Sequence, residues 1–458
     1  MDMINIGYSG ASTAQVELNV TAENTANAMT PGYTRQVAVV STIGASSGSP
    51  NSAGNGVQVD SITRVSNQYM VNQVWYAASD NGYYSTQQTY LTGLETVLSD
   101  DNSNLSTGFD NFFAALNAAS TSPDDSAMRE QVLSEANALA LRFDNTSSYI
   151  QSQSDELISQ EQATISQVNT LTAGIASYNQ QINEAEANGD NASALYDARD
   201  QMVEQLSSMM DVQVSIDNEG NYDVALKNGQ PLVSGQNYST IALKQNEDGT
   251  SSMTLTFAGT EYQMSSDTGG SLGALFDYQD DVLTPLNDTI NSIAEQFTNT
   301  INGILESGYD MNGNPGTDLF IYAPDDPNGP LEVNPDITAD ELAFSDTQGE
   351  TGNGNNLQAL IDTANQTYDI AGLGETTFGN ACSSIISNIG IYSRQNQTEM
   401  EAASNVYAEA QNQRSSISGV SMDEEAVNLI TYTQIYQANL KVISTGADIF
   451  DSVLDMVG

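Results

Sequence analysis

The sequence has no histidine and only one cysteine, Cys382. Catalytic sites of the Ser-His-Asp and Cys-His kinds require a histidine, and zinc sites require several histidine or cysteine ligands. Both kinds of site are therefore excluded, and no disulfide can form within the chain. Cys382 lies in an apolar pattern with Ile385, Ile386 and Ile389, which predicts a buried thiol. We expect a protein that is not an enzyme and that has no catalytic residue, no cofactor and no metal site.

Basic residues are also scarce: ten lysines and arginines stand against 59 aspartates and glutamates, which gives a net charge of −49. Such a surface repels phosphate backbones and anionic lipids, so we expect no nucleic acid and no membrane among the partners. The acids are spread along the chain, which favours solubility in a saline exterior as their role. The N-terminus lacks the basic leader and the apolar core of a secretory signal, so export would use another route.

The C-terminal segment, residues 421–458, has the pattern of a helix with two apolar rows. The first row repeats every seven residues and comprises Met422, Leu429, Tyr436, Ile443, Phe450 and Val457, with Ala426, Thr433, Leu440, Ala447 and Leu454 between them. The second row comprises Ile435, Val442, Ile449, Val453 and Met456. One partner helix cannot cover both rows, and Lys441, Asp448 and Asp451 interrupt the run before it reaches the roughly 18 apolar residues of a membrane span. This pattern favours burial in an assembly.

The N-terminal segment, residues 1–32, is a second amphipathic helix, but it is rich in alanine and offers little bulk. A stable hairpin of the two ends within one chain is the alternative to assembly. Because one covered row buries too little to offset the conformational entropy of about thirty residues, we expect both ends to be disordered in the monomer. The predicted assembly interface consists of Ile4, Ala11, Leu18, Ala22, Leu429, Tyr432, Ile435, Tyr436, Leu440, Val442, Ile443, Ile449, Phe450, Val453, Leu454, Met456 and Val457.

Between the two ends, the pattern begins with a turn, a hairpin and a rod. The motif Thr30-Pro31-Gly32-Tyr33 predicts a type II turn, and alternating stretches at 33–42 and 56–62 predict a β-hairpin. Between a helix start at Ser122-Pro123-Asp124-Asp125 and a helix stop at Asn188-Gly189, a heptad pattern continues without proline. It predicts a helical rod of roughly 60 residues, about 90 Å long.

The second half of the chain alternates between β and helical patterns. Residues 212–264 show strand periodicity with Asn-Gly and Asp-Gly turns, which predicts a small β domain. Helical patterns return at 272–305, 357–369 and 376–415, and Ser421-x-x-Glu424 is a capping box that starts the last helix. Asp310-Met311-Asn312-Gly313-Asn314 superficially resembles a calcium loop, but Ile321 takes the place of the twelfth ligand, so a turn is favoured.

The predicted fold is mainly α with a small inserted β domain: an elongated multi-domain protein with a long antiparallel helical rod and paired terminal helices that form an α-helical coiled coil. The terminal coiled-coil domain comprises 1–32 and 421–458. The rod domain, with the N-terminal β-hairpin, comprises 33–205 and 271–420. The inserted β domain comprises 206–270, and residues 308–350 are a possible addition to it. The chain would run out and return, which places the termini at one end and the insert at the other.

Short motifs carry a family resemblance. LNVTAENTAN at 18–27, followed by TPGYTRQ at 30–36, resembles the N-terminal signature of the axial proteins of bacterial flagella. GNGV at 54–57, DARDQ at 197–201 and SGVSMDEE at 418–425 are similar, within that group, to the hook-associated protein 1 (FlgK) family. The resemblance extends over most of the chain.

The resemblance implies a structural subunit of the bacterial flagellum, extracellular and exported unfolded by the flagellar type III system without a cleaved signal peptide. It implies a hook-associated junction protein that connects hook to filament by ring-like polymerisation. The implied partners are copies of itself, the hook protein, the adjacent hook-associated junction protein, and an export chaperone on the C-terminal helix.

Two alternatives remain at this point: a flagellin-like filament subunit, and a surface adhesin that uses the β insert. In the adhesin, aromatic side chains of the insert would stack on sugars, although their alternation favours sheet-face or core positions. These aromatic residues are Tyr222, Tyr238, Phe257 and Tyr262.

Overall fold

The computed structural model describes residues 2–44, 54–100, 103–245, 251–324, 326 and 329–457, and in them the fold is mainly α-helical with small antiparallel sheets. The helices are α1 (Asp2–Asn27), α2 (Gln68–Leu98), α3 (Leu105–Ala119), α4 (Ser126–Asn188), α5 (Ser193–Met209), α6 (Gly270–Tyr278), α7 (Thr284–Glu306), α8 (Asn355–Asp362), α9 (Phe378–Ser418) and α10 (Met422–Val457). Within these ranges, no helix has both the length and the apolar character that crossing a bilayer requires.

The strands form separate antiparallel sheets. They are β1 (Gln36–Thr42), β2 (Val57–Arg64), β3 (Val212–Ile216), β4 (Tyr222–Leu226), β5 (Pro231–Ser234), β6 (Asn237–Tyr238), β7 (Thr240–Gln245), β8 (Ser251–Phe257), β9 (Thr260–Met264), β10 (Phe320–Tyr322), β11 (Leu331–Val333), β12 (Tyr368–Ile370) and β13 (Gly374–Thr376). Strands β3-β4-β5-β6 and β7-β8-β9 make the two larger sheets, whereas β1-β2, β10-β11 and β12-β13 are two-stranded.

The long rod is formed by α4, which runs for 63 residues. Its first turn is capped by Asp125, whose Oδ1 accepts a hydrogen bond from the Ala127 amide at 2.8 Å. Its last turn ends at Gly189, whose φ of +79° is the left-handed conformation that favours glycine at a helix end. Both predicted ends of the rod are therefore confirmed.

The turn and hairpin that follow α1 are also confirmed. Gly32 has a φ of +77°, and the Tyr33 amide donates to the Thr30 carbonyl at 3.2 Å, as in a type II turn. Strands β1 and β2 pair antiparallel from Gln36 opposite Arg64 to Thr42 opposite Val57. The middle of the predicted connecting loop, residues 45–53, lies outside the described residues.

The first of two apolar cores, which we call the distal core, surrounds the N-terminal half of α4. It packs α3, α7, α8 and the start of α9 around a cluster of phenylalanines. The ring of Phe297 lies 5.0 Å from that of Phe109 and 5.3 Å from that of Phe378, between centroids. The buried phenylalanine rings of this core belong to Phe109, Phe112, Phe113, Phe143, Phe297, Phe320, Phe344 and Phe378.

The second core, which we call the proximal core, lies along the C-terminal half of α4. It packs α5, α6 and part of α2 against the two larger sheets. Trp75 of α2 meets Tyr222 of β4 edge-on, with ring centroids 5.8 Å apart. The insert therefore packs directly on the helices that precede it in the chain.

The position predicted for the β insert is wrong. The insert lies beside α5, whose Asp200 accepts a hydrogen bond from the Tyr222 hydroxyl while the neighbouring Asp197 accepts one from the Thr34 amide. The insert is thus on the side of the terminal helices, and the distal core occupies the other end. Because only a short connection separates α5 from the insert, the apolar face of β4 is buried against α5 in the proximal core.

Residues 308–350 do not join the insert; they complete the distal core instead. Arg129 of α4 is 1% exposed and donates to the carbonyls of Pro123 and Leu342, both at 2.6 Å. Its guanidinium also lies 4.4 Å from the centre of the Phe344 ring. This buried cation, satisfied by backbone carbonyls, ties the segment to α4.

Three helix predictions need correction. The helix predicted at 272–305 is α6 and α7, joined by a π-helical turn at Gln279–Leu283. The helix predicted at 357–369 ends at Asp362, and residues 368–376 form the β12-β13 hairpin. The capping box is half formed: Ser421 Oγ accepts from the Glu424 amide at 3.4 Å, but the Glu424 carboxylate pairs with Arg35 Nη1 at 2.7 Å.

Candidate functional site

The two terminal helices pack against each other in antiparallel orientation. At one end Gly446 of α10 lies against Ile4, and at the other Asn24 Nδ2 donates to Glu425 Oε1 at 3.1 Å. A Cβ atom at Gly7 would lie 2.9 Å from Cγ1 of Ile443, so the missing side chain allows close approach of the helices. The pairing of the two ends is therefore formed within one chain.

Helix α1 has neighbours on two sides, because it contacts both α10 and the β1-β2 hairpin. Ala14 and Thr21 are 1% and 2% exposed. On the hairpin side, the Val57 amide donates to Ser9 Oγ at 3.3 Å, and Asn24 exchanges two 2.9 Å hydrogen bonds with the Gln36 backbone. α1 thus lies between α10 and the hairpin.

Helix α10 keeps most of its apolar surface exposed. Of the predicted interface, α1 half-buries Tyr432, Tyr436, Val442 and Ile443. Eight other predicted side chains are 41–80% exposed, and we call this set the uncovered face: Leu429, Ile435, Leu440, Ile449, Phe450, Val453, Leu454 and Met456. The Val457 side chain lies outside the described residues. On α1, Ala11 is buried, Ile4 and Leu18 are half-buried, and Ala22 is exposed.

Of the row of α10 that lies closest to α1, sequence reasoning identified only Tyr432. That row also repeats every seven residues but consists of Glu425, Tyr432, Asn439 and Gly446. Glu425 is 2% exposed, and the Asn439 carbonyl would lie 3.1 Å from a Cβ at Gly7. The usable signal was the heptad spacing of small and polar residues, which marks a close helix contact better than bulk does.

The joint between the terminal helices and the body is polar. The Arg35 amide donates to the Ser418 carbonyl at 2.8 Å, which links the segment after α1 to the end of α9. The Tyr33 hydroxyl donates to Asn24 Oδ1 at 2.9 Å. Among the described residues, neither the distal nor the proximal core includes a side chain of α1 or α10. In the part of the chain that the structure describes, α1 and α10, which we call the terminal pair, therefore share no apolar core with the body.

Three carboxylates of α5 lie beneath this joint. Asp197 Oδ2 accepts from the Thr34 amide at 3.0 Å, and Arg64 Nη1 contacts Asp197 Oδ1 at 3.0 Å and Asp200 Oδ2 at 2.5 Å. Burial raises the pKa of the Asp197 carboxyl, and the hydrogen bond from Thr34 and the charge of Arg64 oppose that rise. Glu204 Oε2 pairs with Arg414 Nη1 at 2.9 Å.

Other candidate groups are structural. Asp310 Oδ1 accepts from the amides of Asn312 and Asn314 at 2.8 and 2.7 Å, so this motif is the predicted turn. Cys382 is the predicted buried thiol, and burial raises its pKa to about 12. Across the part of the chain that the structure describes, no three His, Cys, Asp or Glu side chains form a group that could hold a metal ion.

The aromatic residues proposed for an adhesin do not form one platform. Tyr222 is 1% exposed and bonds to Asp200 at 2.6 Å, so it cannot stack on a sugar. Phe257 is half-buried, and only Tyr238 and Tyr262 stand about half exposed. The burial of Tyr222 and the half-burial of Phe257 agree with the expectation that these side chains occupy core or sheet-face positions.

Three family models match separate parts of the chain. A model described as the flagellar hook-associated protein FlgK helical domain matches residues 91–320, half of the chain. A model described as the flagellar basal body rod FlgEFG protein C-terminal matches 411–456, and one described as flagella basal body rod protein matches 4–34. The two terminal matches cover the helices and linkers that meet at the polar joint.

Curated relatives are similar over nearly their whole length. Flagellar hook-associated protein 1 of Salmonella typhimurium is 26% identical over 99% of this chain and 99% of that protein. The protein of the same name from Bacillus subtilis is 26% identical over 98% of this chain and 96% of that protein. The solved structure of the flagellar hook junction protein FlgK from Burkholderia pseudomallei has the same fold, with a TM-score of 0.67 at 17% identity, over 76% of this chain and 100% of that one.

Proposed function

Since the chain belongs to the FlgK family of flagellar hook-associated proteins, we propose that its uncovered face joins neighbouring subunits at the junction between hook and filament. As a member of that family it is a structural component of the bacterial flagellum, located outside the cell, and it is not an enzyme. Its partners lie within the flagellum. Because the chain belongs to the FlgK family, we set aside the alternative of a flagellin-like filament subunit.

The observation that carries the proposal is the uncovered face itself. Its eight side chains remain exposed although α10 already contacts α1. Five of them follow Gly446, which lies against Ile4 near the start of α1: Ile449, Phe450, Val453, Leu454 and Met456. Covering a large apolar side chain is worth about 2 kcal/mol, so a helix from a neighbouring subunit that covered the face would gain several such contributions. The seven-residue repeat is the spacing that helix-on-helix packing requires.

We propose, further, that neighbours complete the order of the terminal helices. A lone chain leaves much of the apolar surface of α10 exposed, and among the described residues neither apolar core includes a side chain of α10, so its ordered state gains little from burial. Copies of the chain in a ring, the hook protein and the adjacent hook-associated junction protein would supply the missing cover. Before assembly, an export chaperone would cover the C-terminal helix, and the unfolded ends would suit passage through the type III export channel.

The experiment removes the coding region and restores it with two matched variants of α10. The deletion strain should form hooks that lack filaments and should release filament protein into the medium. The unchanged gene and the control Ser444→Asp, at an exposed polar position of α10, should restore filaments. Ile449→Asp, which places a charge on the uncovered face, should not restore them, because a carboxylate cannot be buried without a partner.

Normal filaments on the deletion strain would contradict the junction role. Normal assembly of the Ile449→Asp protein would contradict the role of the uncovered face while leaving the junction role intact. For the coupling of order to assembly, residues 425–457 should exchange their amide hydrogens rapidly in the free chain and slowly in the assembled one. Strong protection in the free chain would refute the coupling.

A further inference from the structure

One side of α5 carries carboxylates at positions 197, 200 and 204, a spacing of three and four residues that places them in a line along the helix. Asp197 and Asp200 share Arg64, and they also bind Thr34 and Tyr222 respectively, whereas Glu204 binds α9. Four of the five ion pairs found among the described residues involve these carboxylates or the adjoining Arg35–Glu424 contact. In a chain with only ten basic residues, this concentration at one place needs a reason.

The first carboxylate holds the segment that leaves α1. Asp197 accepts from the Thr34 amide, and Arg64, at the end of β2, bridges Asp197 and Asp200. Gln201, the residue after Asp200 on α5, reinforces this contact, because its Nε2 donates to the Pro31 carbonyl. Hydrogen bonds from α5 thus hold the turn after α1 at two points, Pro31 and Thr34.

The last carboxylate holds the segment that leads to α10. Glu204 accepts from the Tyr407 hydroxyl at 2.7 Å and from Gln411 Nε2 at 3.2 Å, and pairs with Arg414 at 2.9 Å. All three donors lie on α9 in the turns just before its end at Ser418. Arg414 and Glu204 have side chains only 20% and 16% exposed, so solvent screens this pair less than a surface pair.

We propose that Asp197 and Glu204 are positioning residues that fix where the two terminal segments leave the body. α5 is then the anchor of the terminal pair, and the anchor exists in a single chain whether or not the terminal helices are themselves ordered. The inference therefore does not depend on ring formation. Buried, charge-assisted hydrogen bonds suit this role because they set direction as well as distance.

The test is amide hydrogen exchange in the full-length chain, read on peptides that cover 30–36, 411–418 and, as a reference for the distal core, 290–305. Asp197→Ala should accelerate exchange in 30–36 about tenfold, because the Thr34 amide loses a charged acceptor. Glu204→Ala should do the same in 411–418. Neither should change 290–305. The matched control is Glu186→Ala, which removes an exposed carboxylate of α4 that accepts from the Tyr196 hydroxyl at 2.6 Å.

Unchanged exchange in 30–36 for Asp197→Ala, or in 411–418 for Glu204→Ala, would overturn the proposal. Equal acceleration of the reference peptide would also overturn it, because the carboxylates would then stabilise the body in general. If Asp197→Ala fails to fold, Asp197→Asn keeps an acceptor for the Thr34 amide and loses only the charge opposite Arg64. For that variant, a smaller acceleration confined to 30–36 supports the anchor, and no acceleration refutes it.

Discussion

Phe297 and Phe450 show how differently two regions of the chain treat the same side chain. Phe297, in the distal core, is fully buried and contacts five other phenylalanine rings. Phe450, on α10, is 49% exposed. The distal core completes its burial with segments of its own chain, including 308–350, whereas the terminal pair consists of two helices that pack against the β1-β2 hairpin. The comparison shows that the apolar content of a helix does not reveal whether its partner lies in the same molecule.

The largest expected effect is the difference in unfolding free energy between alanine variants at these two positions. Phe297→Ala should lower the free energy of unfolding by about 3–5 kcal/mol, because it leaves a cavity among close-packed rings. Phe450→Ala should change it by less than about 0.5 kcal/mol in the free chain, because its side chain loses little burial. Urea unfolding followed by circular dichroism measures both. Equal losses for the two variants would show that α10 is already packed as tightly as the distal core.

The next effect contrasts two polar contacts at the joint. Asn24 is 2% exposed and bonds to Tyr33, Gln36 and Glu425, so Asn24→Ala leaves buried groups without partners and should cost about 1–3 kcal/mol in the assembled protein. Arg35→Ala removes a pair whose Glu424 side chain is 63% exposed and should cost no more than about 1 kcal/mol.

Protection of the α1 amides in assembled material would rank the two variants. A larger loss for Arg35→Ala than for Asn24→Ala would show that charge, and not buried hydrogen bonding, holds the joint. The joint would then differ from the distal core in being stabilised by ion pairs and not by buried groups.

The smallest effect concerns salt. Residues 1–32 and 421–458 carry nine acidic residues and one basic residue, Lys441, so neighbouring terminal pairs repel. The Debye length grows from ~8 Å at 0.15 M salt to ~30 Å at 0.01 M, so assembly should weaken a few-fold at the lower concentration. Sedimentation of polymer against free chain at the two concentrations measures this, with the urea midpoint of the free chain as the reference. Assembly that does not depend on salt would contradict electrostatic repulsion between neighbouring terminal pairs.

Local chemistry made much of the fold predictable. The caps at Asp125 and Gly189, the turn at Gly32 and the strand alternation of the hairpin each depend on a few neighbouring residues. α3 was missed, although Phe109, Phe112, Phe113 and Leu116 have helical spacing. The position of the insert could not be predicted, because it depends on the contact of Tyr222 with Asp200, two residues from different elements.

The candidate site was predictable in part for a related reason. The periodicity of α10 identified a helix with more apolar surface than one partner covers, and eight of the predicted side chains are exposed on it. Bulk could not indicate which row meets α1, because close approach selects Gly7 and Gly446. Glu424 was assigned to the helix cap on local grounds and is drawn away by Arg35, which is distant in sequence.

Trp75 is the only tryptophan of the chain, and it is 3% exposed at the contact between α2 and β4. Intrinsic fluorescence excited at the red edge of the indole band therefore reports on the seam between the insert and the helices, and the terminal pair contributes only tyrosine. An emission trace during refolding would follow the body alone, and comparison with a helix-sensitive signal would separate the two events in time without any added dye.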